Sequence, residues 1–347
     1  MSAYTATDAP NAAALAETAQ AMTAPGSGIL AADESNATMN SRLAKVGLDG
    51  TPEVRMAYRQ TLLETPDLGD YISGVILFDE TIRQTATTGT SFIQLVKDAR
   101  IIPGIKVDTG AKPLSNSHHE KVTEGLDGLA DRLKEYADMG ARFAKWRAVI
   151  NIGDGLPSAK ALHVNAHALA RYAALCQAAG IVPIVEPEVL MTGDHGIERA
   201  EEVTTAALRA VFDELAKQDV LFEGMVLKPN MVVPGDTAPD QASVEQVAGA
   251  TLRVLYRTVP AAVAGIAFLS GGQSDDAATD HLQAMNAGRT HPWSLTFSYG
   301  RALIASALET WRGDAANAAA AQAVLHERAK ANAAASAGRY KKESVPA

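Results

Sequence analysis

The chain has 347 residues, 47% of them apolar and 20% charged, with a formal net charge of −9. That length buries a sizeable core in one large α/β domain or two average ones. The acidic balance argues against nucleic acid as the main partner, because backbone phosphates want a basic face. No apolar run approaches the roughly 20 residues that span a bilayer, so no membrane association is expected.

The stretch from Met1 to Gln20 carries acids, no Lys or Arg and no apolar core, unlike a signal or transit peptide. The one cysteine, Cys176, lies in an Ala-rich helical stretch, so no disulfide framework exists and its expected role is that of a small buried hydrophobe. A cytoplasmic setting follows as the expectation. Residues 1–27 read as an N-terminal helical extension, with a helix over 9–23 and a turn at Pro25-Gly26-Ser27-Gly28.

Eight short segments rich in apolar and β-branched residues come next, each stopping at polar or charged residues. They are Ile29–Asp33, Tyr71–Phe78, Ile101–Asp108, Arg142–Ile150, Ile181–Val189, Gly224–Asn230, Ala264–Ser270 and Ser294–Ser298. Helical spacing separates most of them, as in Leu126–Met139, Ala159–Ala179, Gly196–Lys217, Val244–Thr258 and Asp275–Asn286. Strands alternating with helices argue a parallel sheet covered on both faces. Eight such strands predict a single (β/α)8 TIM barrel over 28–313. A doubly wound sheet would carry a Gly-rich turn after the first strand, and Ala31-Ala32-Asp33-Glu34-Ser35 stands there instead. Residues 314–347 read as an Ala-rich helix to about Ala337, then a polar, mobile tail.

Barrel enzymes gather their chemistry at the C-terminal ends of the strands. Ionisable residues concentrate there: Asp33 on strand one, Lys106 and Asp108 on strand three, Lys145 and Arg147 on strand four, and Glu186 and Glu188 on strand five. Lys228 ends strand six, and Arg301 follows strand eight. Period-two alternation puts Lys145 with Arg147, and Glu186 with Glu188, on one face. A single strand-end charge is most often a solvated rim residue or half of a structural ion pair, but buried charges that stay uncompensated cost several kcal/mol each. Six strands offering charge at one end therefore point to a function.

Lys228 sits in Val226-Leu227-Lys228-Pro229-Asn230, where Pro229 halts the strand. An amine there can attack a ketone to form a Schiff base. It must be neutral to do so, against an ordinary lysine value near ~10.4. Burial and a like charge, supplied by Lys145, are the expected means. Glu186 and Asp33 would move protons, and Glu188 is expected to pair with Lys145 or Lys228.

Ser270, Gly271 and Gly272 follow strand seven, where close backbone approach and free N–H groups suit a phosphate. Ser298, Gly300 and Arg301 after strand eight add hydroxyl and guanidinium donors. Lys106 and Arg147, with Ser35, Thr38 and Arg42 after strand one, form a second cationic cluster. Two anion sites flanking a nucleophilic lysine suggest a sugar phosphorylated at both ends. No metal or other cofactor is expected. His163 and His167 fall in a helix outside the barrel, His118 and His119 in a polar loop, and no strand end carries the histidines that a zinc site needs.

These stretches together resemble the class I, Schiff-base fructose-bisphosphate aldolases. The matching runs are Gly28 to Ser35, Phe143 to Arg147, Ile184 to Glu188, Leu227 to Met231, Phe268 to Ser274 and Leu295 to Arg301, in the family's order. The resemblance implies Lys228 as the Schiff-base lysine and Glu186 as main acid/base, with Asp33, Lys145 and Glu188 assisting. It implies one phosphate on Ser270, Gly271, Gly272, Ser298 and Arg301 with Arg42 nearby, the other on Lys106, Arg147, Ser35 and Thr38. A homotetramer without metal is also implied.

Two departures from the family pattern stand out. Ser41 replaces a lysine that many relatives place near the sugar phosphate. The tyrosine with which many eukaryotic relatives end is missing: this chain closes on Val345-Pro346-Ala347, and Tyr340 is its last tyrosine. Either Tyr340 or another acid protonates the enamine, or that step is slower. The alternatives to this reading are a transaldolase or deoxy-sugar phosphate aldolase, which would need one phosphate site, and a non-catalytic barrel serving as a scaffold.

Overall fold

The computed structural model describes residues 11–342. The first two positions of the helix expected over 9–23, and the tail beyond 342, lie outside that range. The chain opens with helix α1 (Ala12–Met22) and strand β1 (Gly28–Ala32), then α2 (Asn36–Lys45), α3 (Pro52–Leu63), β2 (Ile72–Leu77), α4 (Asp79–Ile82), α5 (Phe92–Asp98) and β3 (Ile102–Lys106). A small antiparallel hairpin, β4 (Ala111–Pro113) and β5 (Lys121–Thr123), precedes α6 (Leu129–Met139) and β6 (Phe143–Ile150). Then come α7 (Ala159–Ala178), β7 (Val182–Val189), α8 (Ile197–Lys217), β8 (Val226–Leu227), α9 (Val244–Thr258) and β9 (Gly265–Phe268). The chain continues with α10 (Asp275–Asn286), β10 (Ser294–Tyr299), α11 (Arg301–Trp311) and α12 (Ala318–Ser336). Eight parallel strands close in the order β1-β10-β9-β8-β7-β6-β3-β2, the predicted (β/α)8 barrel.

Alternation along the strands divides the core in two. Ile29, Ile76, Phe143, Ile184, Val226 and Ala267 pack inside the barrel, and Leu15, Ala19 and Met22 of α1 close its lower end. Leu30, Val75, Ile105, Ala144, Trp146, Val185 and Leu227 pack outward with residues of the surrounding helices. This fixes the direction of the charges between them. Trp146 stacks on Tyr172 of α7, with ring centroids 5.5 Å apart, so its neighbours Lys145 and Arg147 turn inward. The interior narrows below the mouth. A Cβ at Gly104 would stand 2.2 Å from the Phe143 ring, so glycine is the residue that lets this phenylalanine fill the barrel.

Two features depart from the sequence reading. The sixth strand, expected over Gly224–Asn230, is only Val226–Leu227. Phe222–Gly224 forms a 3-10 turn below it, and Pro229 has no N–H to extend it above. The line of the strand still persists: Lys228 N donates to Val185 O at 2.8 Å, and Leu269 N donates to Pro229 O at 3.0 Å. Between strands one and three, four helices appear that the apolar pattern did not reveal. α2, for example, buries only Met39 and Leu43, too thin a stripe to read.

Candidate active site

The strand ends open into a cleft of about 720 Å3. Asp33, Ser35, Thr38, Arg42, Lys106, Lys145, Arg147, Glu186, Glu188, Lys228, Ser270, Gly271, Ser298, Gly300 and Arg301 all line it. Gly272 stands just behind the lining, where a Cβ would come within 2.8 Å of Met191 Sδ.

At the floor, Lys228, Lys145, Asp33 and Glu186 are each less than a tenth exposed. Glu186 lies between the two lysines, with Oε1 3.3 Å from Lys228 Nζ and Oε2 3.5 Å from Lys145 Nζ. Lys145 Nζ is also 2.6 Å from Asp33 Oδ2. Four opposite charges sharing one buried site compensate one another, which is how such a group is tolerated at all. Burial is the largest influence on Asp33 and would raise its pKa; the ammonium groups of Lys145, Lys228 and Lys106 overrule it and bring the carboxyl down to about 2. Burial likewise presses the Lys145 ammonium down, and Asp33, Glu186 and Asp108 together hold it above the ordinary lysine value. Lys145 is therefore a fixed cation. It is not the bare like charge expected beside Lys228, because carboxylates face it on two sides. Glu186 Oε2 is buried and has no hydrogen-bond partner among the described residues, so it is free to meet a ligand proton.

Glu188 pairs with Arg147, not with either lysine. It stands one pleat farther up the mouth than Glu186, level with the guanidinium instead of the ammonium groups. On the same wall Lys106 is 2.9 Å from Asp108. Across the cleft, Gly271 has φ +57, a left-handed conformation that glycine adopts without strain. The buried Ser298 Oγ has no hydrogen-bond partner among the described residues. Arg301 donates to Gly271 O and begins α11, whose N-terminus has no side-chain cap. Its guanidinium pKa is lowered, by burial first and then by the nearby positive charges of Arg42 and Arg147.

The lining carries seven cations (Arg42, Lys45, Lys106, Lys145, Arg147, Lys228 and Arg301) against five carboxylates (Asp33, Glu34, Asp108, Glu186 and Glu188). In a chain of net charge −9, this cleft holds a local positive surplus, the condition for drawing in a phosphorylated ligand.

Three supports of the mouth emerge from the structure; Asp108 and Asn230 lie at strand ends already marked in the sequence, but their bracing bonds were not legible there. Glu34 holds Arg42 with one oxygen and Arg59 Nη2, at 2.7 Å, with the other. Arg59 is buried on α3, too far along the chain for any local pattern to link it to the mouth. Asp108 accepts from Gly110 N at 3.1 Å and from Arg147 N at 3.3 Å, bracing the loop after β3 against β6. Its spacing from Lys106 was the available signal. Asn230 accepts from Val189 N at 3.0 Å and donates to Thr204 Oγ1 at 3.2 Å, tying the segment after Lys228 to β7 and α8.

Tyr340 lies away from this site. Its N–H donates to Gln283 Oε1 in the last part of α10, at the barrel end opposite the mouth. The histidine pair is also remote: His167 Nδ1 is 2.9 Å from Glu214 Oε2 on the outer helices. No group of three His, Cys, Asp or Glu side chains among the described residues is arranged to hold a metal ion.

The family model described as glycolytic fructose-bisphosphate aldolase class-I matches residues 14–347. The chain belongs to that family. Among its relatives, a probable fructose-bisphosphate aldolase class 1 of Xanthomonas campestris is 56% identical over 328 residues, covering 94% of this chain and 98% of its own. A chloroplastic fructose-bisphosphate aldolase 3 of Arabidopsis thaliana is 54% identical over 329 residues, covering 95% and 84%. A solved Plasmodium falciparum aldolase, in a ternary complex with TRAP and a small-molecule inhibitor, superposes with a TM-score of 0.95. It is 48% identical and covers 96% of this chain and 97% of its own. As a class I aldolase the chain is a lyase of the Schiff-base type.

Proposed function

We propose that this class I aldolase reversibly cleaves fructose 1,6-bisphosphate to dihydroxyacetone phosphate and glyceraldehyde 3-phosphate, with Lys228 as its Schiff-base lysine. The observation that carries the assignment is a buried lysine at a strand end whose only carboxylate neighbour within 4 Å among the described residues is Glu186, at 3.3 Å. Lys228 Nζ adds to the C2 ketone. Glu186 gives the carbinolamine oxygen a proton, and water leaves. The iminium then draws in the electrons of the C3–C4 bond while the C4 hydroxyl loses its proton. Glu186 is the proton carrier there, and Asp33, held as a carboxylate, orients the hydroxyl. The resulting enamine takes a proton at C3, and hydrolysis of the iminium frees Lys228. Lys145 keeps both carboxylates in place throughout.

Ser270, Gly271, Gly272, Ser298, Gly300 and Arg301 would hold the phosphate near the reacting carbonyl. Ser35, Thr38, Lys106 and Arg147 would hold the other, with Arg42 between the two sets. Borohydride reduction in the presence of substrate tests the scheme: the expected product is a covalent adduct on Lys228, and Lys228→Met abolishes both adduct and cleavage. A trapped adduct on another lysine, or none, overturns it. We also assign a cytoplasmic homotetramer, a reading that rests on the family to which the chain belongs.

A further inference from the structure

The mouth is not evenly balanced. Five of its seven cations have a carboxylate partner among the described residues. Lys45 and Arg301 have none, and Arg42 shares its one partner, Glu34, with the buried Arg59. The surplus charge is therefore gathered where α2 faces the start of α11.

On α2, Met39 and Leu43 point into the core. Thr38, Ser41, Arg42 and Lys45, at i, i+3, i+4 and i+7, form the stripe that lines the cleft. Unpaired like charges held on one rim repel one another unless an anion joins them. Ser41 puts only a neutral hydroxyl on this stripe, so beyond Arg42 the positive charge comes from Lys45, one helical turn farther along.

We propose that Lys45 is a specificity-determining residue that binds the phosphate remote from the reacting carbonyl. Lys45 is exposed on the outer rim. It is thus badly placed for the inner phosphate, whose hydroxyl donors Ser270 and Ser298 are buried. Its flexible stem and compact ammonium suit capture of a mobile, hydrated dianion as a point charge. The inference rests on the bisphosphate-cleavage reading given above. The plain alternative is that Lys45 only complements the dipole at the C-terminal end of α2, which would affect stability and not substrate choice.

Lys45→Ser, Lys45→Arg and the relocation variant Ser41→Lys/Lys45→Ser distinguish these roles. Steady-state kinetics with fructose 1,6-bisphosphate and fructose 1-phosphate, at low and high salt, are the readout, with melting temperatures alongside. For Lys45→Ser the expected result is a rise in KM for the bisphosphate of roughly 3- to 10-fold, a magnitude ordinary for one exposed charge-assisted contact. The preference for the bisphosphate over fructose 1-phosphate falls by the same factor, and the salt dependence of kcat/KM flattens. Lys45→Arg and the relocation variant recover most of the loss. Unchanged bisphosphate KM, or equal losses on both sugars, overturns the role of Lys45, as does a change confined to melting temperature. If the unmodified protein forms no borohydride adduct at Lys228, the cleavage reading fails instead; an intact adduct with unchanged Lys45→Ser kinetics removes only this inference.

Discussion

Asp33 ties the proposed chemistry to the stability of the fold. Its folded pKa of about 2 lies below the ordinary 3.8, because Lys145 stands 2.6 Å away. A depressed carboxyl stabilises the fold above its unfolded value, and that contribution disappears as pH falls from about 4 toward 2. Asp33→Asn removes the partner but keeps the shape, leaving Lys145 with Glu186 alone at the floor. Expected outcomes are a fall in kcat of roughly 10²- to 10³-fold, and a denaturation midpoint that declines less steeply between about pH 4 and 2 than in the unmodified protein. An Asp33→Asn variant with near-normal kcat would show that this carboxylate does not act on the C4 hydroxyl. The acid limb of the rate profile should also not belong to Asp33, which stays ionised far below neutrality. The strand-end position of this residue was legible from the sequence. Its hold on Lys145 was not, because the two side chains come from strands more than a hundred residues apart.

At the scale of elements, α2 carries much of the mouth while contributing little to the core. Ser35 caps it, its Oγ accepting from Thr38 N at 3.4 Å and lying 3.1 Å from Thr38 Oγ1. The same hydroxyl lines the cleft, so in the proposed scheme cap and phosphate donor are one group. Ser35→Ala should cost about 1 kcal/mol of stability through the lost cap and also raise KM for the bisphosphate. Ser35→Asp keeps a capping oxygen and suits the helix dipole but sets a negative charge against the phosphate. It should therefore match the unmodified melting temperature while raising KM further than alanine does. Unmodified KM in Ser35→Asp would mean that Ser35 serves only the helix. The cap and the helix were hard to read in advance: with two buried apolar residues in ten, α2 lacks the stripe that made α8 and α9 visible. β8 failed in the opposite way. Its expected span, Gly224–Asn230, was longer than the strand, because a 3-10 turn takes the lower end and Pro229 ends the ladder above.

For the molecule as a whole, the net charge of −9 and the positive cleft are complementary facts. The field of the whole surface keeps the protein soluble and discourages polyanions, while the local surplus draws a small phosphorylated sugar into one opening. The assigned homotetramer predicts a light-scattering mass near four times the 36.4 kDa chain, and a single-chain mass at assay concentration would overturn it. The sequence alone determined the barrel and the end at which its charges gather, because strand alternation and the helix period are local and are written in consecutive residues. Only the tertiary structure decided which charges meet: Glu188 with Arg147, Lys145 with Asp33, Glu34 with both Arg42 and Arg59. Ion pairing depends on how strands align side by side and on where loops return, and neither is encoded within one segment. The unpaired charge of Lys45 and Arg301 emerged the same way, as what remained once every other cation of the mouth had found its partner.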